Sequence, residues 1–375
     1  MLHPKYIRYI KQALLFACVW LLFGFVYGIL EKGILGRMDY YPSTQNRYDF
    51  MTSLAFASFG GFVMGFLHGW VEVSWLGKKF TKSPLWVKVV LKVHFYLVFI
   101  VLFLVLLTFG VNSNRFEEHL LSKTVLHSVE MFINSFAFWS VVVYIAFGLI
   151  MAMLFSELSS YLGGNVFLNF LFGKYHTPKR EGRIFMFLDM KSSTTIAEEL
   201  GHSKYFELLK SCYADMSSPI LETSGEIYQY VGDEVVVTWP EKLGLYNNNC
   251  IACFYKISEA LEKKRNRYKK EFNFFPTFKA GYHIGLVTTG EIGVLKKEII
   301  YTGDVLNTAS RIQAECNAYG TQILISDALA DQLQRQEQSY RFVPMDYLKL
   351  RGKKEQIQLV TIKLAEGNQP KISSI

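Results

Sequence analysis

The chain has 375 residues, of which 51% are hydrophobic and 16% aromatic, more than soluble proteins usually contain. This length suits either a membrane domain with one globular domain or two globular domains. The net charge of +8 does not by itself indicate nucleic-acid binding, because many lysines and arginines lie at the ends of apolar segments, where such residues set membrane orientation. Nearly all of the apolar excess precedes about residue 172, which predicts a domain boundary there.

Four segments are long and apolar enough to cross a bilayer, which takes about 20 residues. The first is too long for a cleavable signal peptide and has no small-residue cleavage site before the next charged stretch. The four predicted spans are Gln12–Leu30, Phe50–Trp75, Val87–Val111 and Met131–Phe155.

Basic residues are concentrated before the first span, between the second and third, and after the fourth. The other two loops carry fewer basic residues, mixed with acidic ones. By the positive-inside rule, both termini are expected in the cytoplasm, in a multi-pass protein of the cell (inner) membrane with lipid as a partner. The basic residues are Lys5, Arg8, Lys11, Lys78, Lys79, Lys82, Lys174, Lys179, Arg180 and Arg183.

Three ionisable residues, His68, Glu72 and His94, lie within or near the second and third predicted spans. Ionisable groups at membrane depth indicate ligand binding or sensing. Interfacial anchoring is the favoured interpretation here, because Glu72 and His94 are expected near the cytoplasmic ends of their helices, where snorkelling or pairing costs little.

Between the fourth span and the polar half lies a predicted helical connector, residues 156–182. Gly163 and Gly164 offer a hinge, and the segment "VFLNFLFG" is amphipathic enough to pack on a partner or a membrane surface. The connector is expected either to transmit movement or to act as a passive tether. The predicted domains are thus 1–155, 156–182, 183–364 and a tail, 365–375.

The second half alternates between strand and helix patterns. "RIFMFLD" predicts a buried strand, and "SSTTIAEELGHSKYFELLKSCYADM" predicts one long helix. "GEIYQYVGDEVVVTWP" predicts two strands joined by a tight turn at Gly232-Asp233, followed by a helix from about Asn248 to Tyr268 and a further strand with a hairpin. The order β-α-β-β-α-β predicts an α+β, ferredoxin-like core after the α-helical four-span domain.

Five cysteines are present: Cys18, Cys212, Cys250, Cys253 and Cys316. Only Cys250 and Cys253 have a spacing that suggests a metal or redox centre, but no second pair or histidine follows at zinc-like spacing, so we predict that these two are buried, reduced core thiols. The odd count without a disulfide framework predicts a reducing compartment for the C-terminal half.

Two acidic residues stand where strands end. Asp189 follows the first strand, and Asp233 lies in the turn between the next two. In the predicted sheet these carboxylates can converge, and they would then repel unless a cation lies between them. Each acid alone also fits a helix cap or a turn residue. The adjacent "KSSTT" opens a helix whose backbone N–H groups could hold a polyphosphate, which makes Lys191, Ser192, Ser193 and Thr194 candidate binding residues.

Three motifs in this half, "FLDMKSST", "YVGDEVV" and "YTGDVLNTASRI", resemble the catalytic domain of class III nucleotide cyclases. The resemblance covers about Gly182 to Leu364. It implies an enzyme that converts a nucleoside triphosphate to its 3′,5′-cyclic monophosphate and pyrophosphate in signal transduction. No family is suggested for the membrane half.

The resemblance also implies roles for individual residues. Asp189 and Asp233, with the Met190 backbone carbonyl, would hold two Mg²⁺ or Mn²⁺ ions per site. Asn307 and Arg311 would orient the ribose and stabilise charge on the transferring phosphate. In such enzymes one subunit gives the metal ligands and the other gives the Asn and Arg, so a homodimer is implied.

Arg351 occupies the position where this family usually has a lysine for the terminal phosphates, and Lys353 and Lys354 are nearby substitutes. The base-selecting positions also depart from the family: Gln229 replaces the usual lysine or glutamate, and Ile300 the usual aspartate or threonine. The glutamine side chain can donate and accept hydrogen bonds, whereas the isoleucine side chain can do neither.

These departures leave the choice between ATP and GTP open. ATP is favoured, because single-domain, membrane-tethered members of the family usually make cyclic AMP. The leading prediction is therefore a membrane-bound adenylate cyclase. A guanylate cyclase, a non-catalytic nucleotide-binding receptor and a transporter with a regulatory tail are the alternatives.

Overall fold

A computed structural model describes residues 4–37, 39–41, 47–79, 83–162, 169–170, 172–333, 339–349 and 356–365. Its contacts separate a helical unit, Tyr6–Leu168, from a C-terminal unit, Asn169–Ile375, and each is described by itself. The predicted hinge at Gly163 and Gly164, half of the amphipathic connector segment and nearly all of the predicted tail lie outside the described residues.

The helical unit contains five α-helices in its described residues. Four of them are long and apolar enough to cross a membrane: Tyr9–Leu35, Phe50–Ser74, Leu85–Phe116 and Phe136–Ser159. The four predicted long apolar helices are therefore present. The five helices are α1 (Pro4–Leu35), α2 (Phe50–Ser74), α3 (Leu85–Phe116), α4 (Lys123–Ile133) and α5 (Phe136–Leu162).

The fourth predicted span began too early, at Met131. That residue belongs instead to the short helix α4, which ends at Ile133 before α5 begins at Phe136. The Ser135 hydroxyl accepts a hydrogen bond from the Phe138 N–H at 3.2 Å. Such a cap satisfies a first-turn amide, so a new helix begins here.

Helices α1 and α2 approach closely at Gly65. A Cβ atom on this residue would lie 2.6 Å from the Trp20 Cβ and 2.8 Å from the Phe16 carbonyl oxygen. Small residues at helix interfaces allow backbones to approach in this way, which is common in membrane bundles.

The ionisable residues of this unit differ in their surroundings. Glu72 is buried and accepts hydrogen bonds from Lys92 and from the Tyr96 hydroxyl, the latter at 3.1 Å. Lys92 also donates to Glu157 of α5 at 2.7 Å. Glu72 is thus paired inside the bundle, whereas His94 is exposed. His68 is buried and its Nδ1 accepts from the Trp20 indole at 3.0 Å.

The C-terminal unit is built on one eight-stranded sheet in the order β2-β3-β1-β4-β6-β8-β7, with β5 paired to β4. Neighbouring strands are antiparallel except β4 and β6. The first four strands give the order β2-β3-β1-β4, which is the ferredoxin-like arrangement predicted from the sequence. The strands are β1 (Lys179–Met190), β2 (Glu226–Val231), β3 (Glu234–Pro240), β4 (Phe278–Ile292), β5 (Glu298–Thr302), β6 (Ile323–Ser326), β7 (Tyr340–Lys349) and β8 (Gln356–Leu364).

Both faces of β1 are covered, which explains its continuous apolar sequence. Ile184, Met186 and Leu188 belong to the larger core beneath the helices that connect the strands. Phe185 and Phe187 point to the opposite face, where they form a second core with a later helix. Because β1 is packed on both faces, its C-terminal end has a fixed position in the sheet.

Seven α-helices connect or follow the described strands of this unit. Two helices predicted as continuous are each divided. Gly201, whose φ of 73° lies in the left-handed region, separates the helix Ser193–Leu200 from the helix His202–Glu222. Lys264, whose φ of −109° is not helical, separates the helix Asn249–Glu262 from the helix Arg265–Phe272. The seven are α6 (Ser193–Leu200), α7 (His202–Glu222), α8 (Glu241–Leu245), α9 (Asn249–Glu262), α10 (Arg265–Phe272), α11 (Asp304–Ala314) and α12 (Asp327–Ala330).

Four of the five cysteines are buried, and Cys18 is exposed. All five are free, and the predicted burial of Cys250 and Cys253 in the core is confirmed. Burial raises the pKa of the Cys212, Cys250, Cys253 and Cys316 thiols to about 12, so the reactive thiolate is disfavoured in each.

Helix α11 lies directly on β4 because Gly281 has no side chain. A Cβ atom there would lie 2.2 Å from the Gln313 backbone nitrogen, too close for any residue but glycine. We expect Gly281→Ala to destabilise the protein by about 2–3 kcal/mol, as overpacking against backbone does. Thermal unfolding checks this. Gly290→Ala on the same strand is the control, since its Cβ would meet Pro178 at 3.4 Å, an ordinary contact. Equal melting temperatures for the two variants would contradict the expectation.

Candidate active site

Asp189 and Asp233 are brought together by the sheet. Asp189 is the penultimate residue of β1, and Asp233 lies in the turn between β2 and β3. The β1–β3 register pairs Leu188 with Val235, which places Asp189 beside that turn. The turn is tight because Gly232 has a φ of 62°. The charge of Asp233 acts on Asp189, so the two carboxyl groups lie close together at the corner where the sequence predicts that they converge.

Burial, and then the negative charge of Asp233, raise the pKa of Asp189. Glu234, next along the chain, has its pKa raised to about 7 by burial and by the charges of Asp189 and Asp233. An excess of carboxyl groups in a partly buried place costs free energy that a bound cation would relieve. The electrostatics of this corner therefore favour a cation.

Two further side chains contact Asp189. Lys279 faces it across the β1–β4 ladder, and its Nζ lies 3.3 Å from Asp189 Oδ2. Gln313 of α11 donates a hydrogen bond from Nε2 to the same oxygen at 3.0 Å. Gln313 is buried, so its contact has a fixed geometry. Together these residues hold Asp189 from the side of β4 and α11.

The donor set suits a hard divalent cation that keeps other ligands. Within the described ranges, no group of three or more His, Cys, Asp or Glu side chains is arranged to hold a metal. Two carboxylates with phosphate oxygens and water are the usual environment of Mg²⁺. Met190 follows Asp189 with its side chain buried in the core, so only its backbone carbonyl could contribute.

The segment predicted to hold a polyphosphate lies next to this corner. Lys191, Ser192 and Thr194 are exposed and Ser193 is half-buried. From the sequence we expect the backbone N–H of Lys191 to be available. It is not, because it donates a hydrogen bond to the Thr277 carbonyl at 2.9 Å. Helix α6 begins at Ser193, and a helix does not satisfy its own first-turn amides. The amides of Ser193 and Thr194 are therefore the better candidates.

Helix α11 has two chemically distinct sides. Its buried side includes Val305 and Ile312, and Gln313 reaches Asp189 from the part of the helix closest to the sheet. Asn307 and Arg311, one turn apart, are both exposed. The helix thus contacts the acid pair of its own chain through Gln313 and presents Asn307 and Arg311 on an exposed surface.

The predicted base-selecting residues lie on two strands that approach each other. Gln229 of β2 is exposed, and Ile300 of β5 is half-buried. Their neighbours Tyr228 and Tyr301 pack with ring centroids 5.0 Å apart. Arg351, Lys353 and Lys354 lie outside the described residues, and the role predicted for Arg351 stays a prediction.

Sequence reasoning missed Lys279 and Gln313. The signal for Gln313 was a polar residue among the apolar positions of an amphipathic helix, directly after Ile312. Lys279 precedes an alternating strand pattern, but its partner is visible only in the β1–β4 register.

Comparison with known proteins points to one family. Residues 178–363 match the family described as "Adenylate and Guanylate cyclase catalytic domain". "Adenylate cyclase 2" of Rhizobium meliloti (strain 1021) is 39% identical over 174 residues, which cover 46% of this chain and 47% of that protein. "Adenylate cyclase" of Anabaena cylindrica is 26% identical over 185 residues, covering 48% of this chain and 36% of that protein. The chain therefore spans about half or less of the length of the curated relatives it matches.

Among solved structures, the guanylyl cyclase Cya2 has 18% identity and a TM-score of 0.44, covering 51% of this chain and 96% of that one. The adenylyl cyclase CyaB from P. aeruginosa has 19% identity and a TM-score of 0.43, covering 52% of this chain and 99% of that one.

Proposed function

Because the chain belongs, through residues 178–363, to the adenylate and guanylate cyclase family, we propose that it is a membrane-bound adenylate cyclase. It would convert ATP to 3′,5′-cyclic AMP and pyrophosphate. The observation that carries this proposal is the convergence of Asp189 and Asp233 at one corner of the sheet, beside a helix that bears Asn307 and Arg311.

Asp189, Asp233 and the Met190 carbonyl are the groups that would hold Mg²⁺ or Mn²⁺, two ions per site. When bound, these cations would lower the pKa of the ribose 3′-hydroxyl and neutralise charge on the phosphates. Lys279 and Gln313 keep the Asp189 carboxylate in place, since both contact Oδ2. The amides of Ser193 and Thr194, with Lys191 and Ser192 beside them, would face the phosphates.

In the reaction, the 3′-hydroxyl loses its proton to water and its oxygen bonds to the α-phosphorus. The bond from that phosphorus to the oxygen that bridges to the β-phosphate breaks, and pyrophosphate leaves. Negative charge spreads over the transferring phosphate as this happens. Arg311 offers a planar, permanently charged fork to those oxygens, and Asn307 one turn earlier orients the ribose. Arg351 would contact the terminal phosphates.

The active enzyme is proposed to be a two-fold homodimer. Asn307 and Arg311 lie on the exposed side of α11, whereas the contact to the acid pair of the same chain is made by Gln313. A second copy arranged head to tail would bring its Asn307 and Arg311 to the acid pair of the first copy. The first copy would bring its own Asn307 and Arg311 to the acid pair of the second. A two-fold axis then produces two equivalent sites.

The four long apolar helices are proposed to span the cell membrane, with lipid as their surroundings and both termini in the cytoplasm. The C-terminal unit would then meet cytoplasmic ATP. This orientation follows from the distribution of lysine and arginine in the sequence.

The proposed activity is tested with the full-length protein in membranes, incubated with Mn²⁺ or Mg²⁺ and either ATP or GTP. Cyclic AMP from ATP is the expected product, with less cyclic GMP from GTP. A predominance of cyclic GMP would make the protein a guanylate cyclase. Nucleotide binding without any cyclic product would instead support a non-catalytic receptor. The unusual residues Gln229 and Ile300 at the base-selecting positions are the reason to consider that alternative.

Gln313→Ala is expected to lower kcat about tenfold and to raise the Mn²⁺ concentration needed for half-maximal activity. Without its amide, Asp189 loses a hydrogen bond worth about 1.5 kcal/mol or more, since the acceptor is charged. Steady-state kinetics over a Mn²⁺ series measure both effects. Gln322→Ala, at an exposed position, is the matched control. An unchanged metal requirement in Gln313→Ala would argue against this role.

Ile300→Asp is expected to raise the ratio of kcat/KM for ATP to that for GTP by about tenfold, because a carboxylate can accept a hydrogen bond from the adenine amino group. Parallel assays with the two nucleotides give the ratio. Ile299→Asp is the control, since successive side chains of β5 point to opposite faces. If both variants change the ratio alike, Ile300 does not contact the base.

A further inference from the structure

The helical unit contains a cavity of about 1070 Å³ at the end of the bundle where α1 ends and α2 begins. Residues of α1, α2, α4 and α5 and of the segment between α1 and α2 line it. This volume is at the upper end of the range of small-molecule sites. By the distribution of basic residues, this end of the bundle is expected on the side of the membrane away from the cytoplasm.

One carboxylate, that of Glu31, is the focus of the polar groups in this cavity. Its Oε1 accepts a hydrogen bond from the Tyr27 hydroxyl at 2.9 Å. Its Oε2 accepts from the Tyr41 hydroxyl at 3.2 Å and from the Ser53 hydroxyl at 2.5 Å. These donors come from three different parts of the chain and fix the position of the carboxylate.

All three donors to Glu31 are neutral hydroxyl groups. In the part of the chain that the structure describes, no lysine, arginine or histidine forms an ion pair with Glu31. None of these three contacts brings a positive charge to the half-buried carboxylate, so a cation could still pair with it.

Most of the other lining residues fit a cationic ligand with an apolar body. Two charged residues, Asp49 and Arg47, also line the cavity. One Asp49 oxygen accepts the Thr52 N–H at 2.8 Å as the cap of α2, and the charge of the exposed Arg47 acts on Asp49. Aromatic rings bind cations through their faces and apolar groups by burial. The aromatic lining residues are Tyr27, Tyr41, Phe56, Phe132, Phe136 and Tyr144.

We propose that this cavity, here called the Glu31 cavity, binds an organic cation with an apolar body, whose charged group lies against Glu31 and whose apolar part lies among the aromatic rings. Helix α5 contributes Phe136, Ala137, Ser140, Val141 and Tyr144 to the lining and, among the described residues, is the last helix of the helical unit. A ligand held against α5 has a direct covalent route to the C-terminal unit. The binding site does not depend on the proposed cyclase activity.

The test uses the full-length protein in lipid nanodiscs and three probes of equal chain length: octyltrimethylammonium, octanol and octyl sulfate. Binding is measured by isothermal titration, with empty nanodiscs as the baseline for partition into lipid. The cation is expected to bind saturably at one site per chain and at least about tenfold more tightly than octanol, because a good charge pair out of water contributes that much. Octyl sulfate is expected to show only partition.

Two variants assign the binding to the Glu31 cavity. Glu31→Gln should weaken the cation about tenfold without changing octanol. Glu117→Gln, an exposed carboxylate at the end of α3, is the matched control and should change nothing. Ala137→Trp adds a large side chain on the α5 side of the cavity and leaves Glu31 unchanged. It should abolish binding, so it tests the proposal even if Glu31→Gln does not fold. Equal binding of cation and octanol, or unchanged binding in Ala137→Trp, would overturn the proposal.

Discussion

Asp189→Asn is expected to reduce cyclase activity at least about a hundredfold, because the lost interaction with a divalent cation contributes several kcal/mol to the barrier. The amide keeps the size of the side chain and can still accept hydrogen bonds from Lys279 and Gln313. What disappears is the charge next to Asp233. The measurement is cyclic AMP formed per unit of full-length protein at saturating ATP and Mn²⁺.

The same substitution should leave the protein at least as stable as the wild type. Burial and the charge of Asp233 raise the pKa of Asp189, so the charged carboxylate costs folding free energy at neutral pH. Thermal unfolding without metal therefore separates lost chemistry from lost structure. Glu259→Gln, which removes an exposed carboxylate from α9, serves as the control for both measurements. Activity within tenfold of the wild type would show that Asp189 is not a metal ligand.

Arg311→Ala is expected to lower kcat by about 10²–10³, the usual effect of removing one group that stabilises charge in a transition state. Because Arg311 is exposed, the melting temperature should stay within the range of ordinary surface substitutions. KM for ATP should change much less than kcat, since the charge that Arg311 meets develops mainly in the transition state.

Arg311→Lys should recover little of this loss, because an ammonium group cannot reproduce the planar fork of a guanidinium. Arg341→Ala, which removes an exposed arginine from β7, is the matched control. A kcat for Arg311→Ala close to that of the control would exclude Arg311 from the reaction.

The parts of the fold that depend on local pattern were predicted well. The alternation around Gly232-Asp233 predicted the β2–β3 hairpin, and with it the convergence of Asp189 and Asp233. The two divided helices were predicted as continuous because an apolar helical pattern can persist across a break. Gly201 was the one local signal of such a break.

The features that could not be predicted from the sequence are contacts between residues that lie far apart in the chain. Gln313 reaches Asp189 only because Gly281 lets α11 lie on β4, a contact between residues far apart in the chain. The Glu31 cavity is likewise invisible in the sequence, since Tyr41 and Ser53 come to Glu31 from different segments. Hydrophobic periodicity indicates which face of an element is buried but not which element covers it.

The proposed division of the active site between two copies has a direct test. Asp189→Asn and Arg311→Ala are each expected to be nearly inactive alone, but a dimer of one copy of each contains one site with both residues intact. Random pairing of equal amounts makes half of the dimers mixed, each with one of its two sites working, so co-expression should restore about a quarter of wild-type activity. Cyclic AMP production at that level is the result we predict. Co-expressed protein that forms dimers yet stays as inactive as either variant would contradict a site built from both chains.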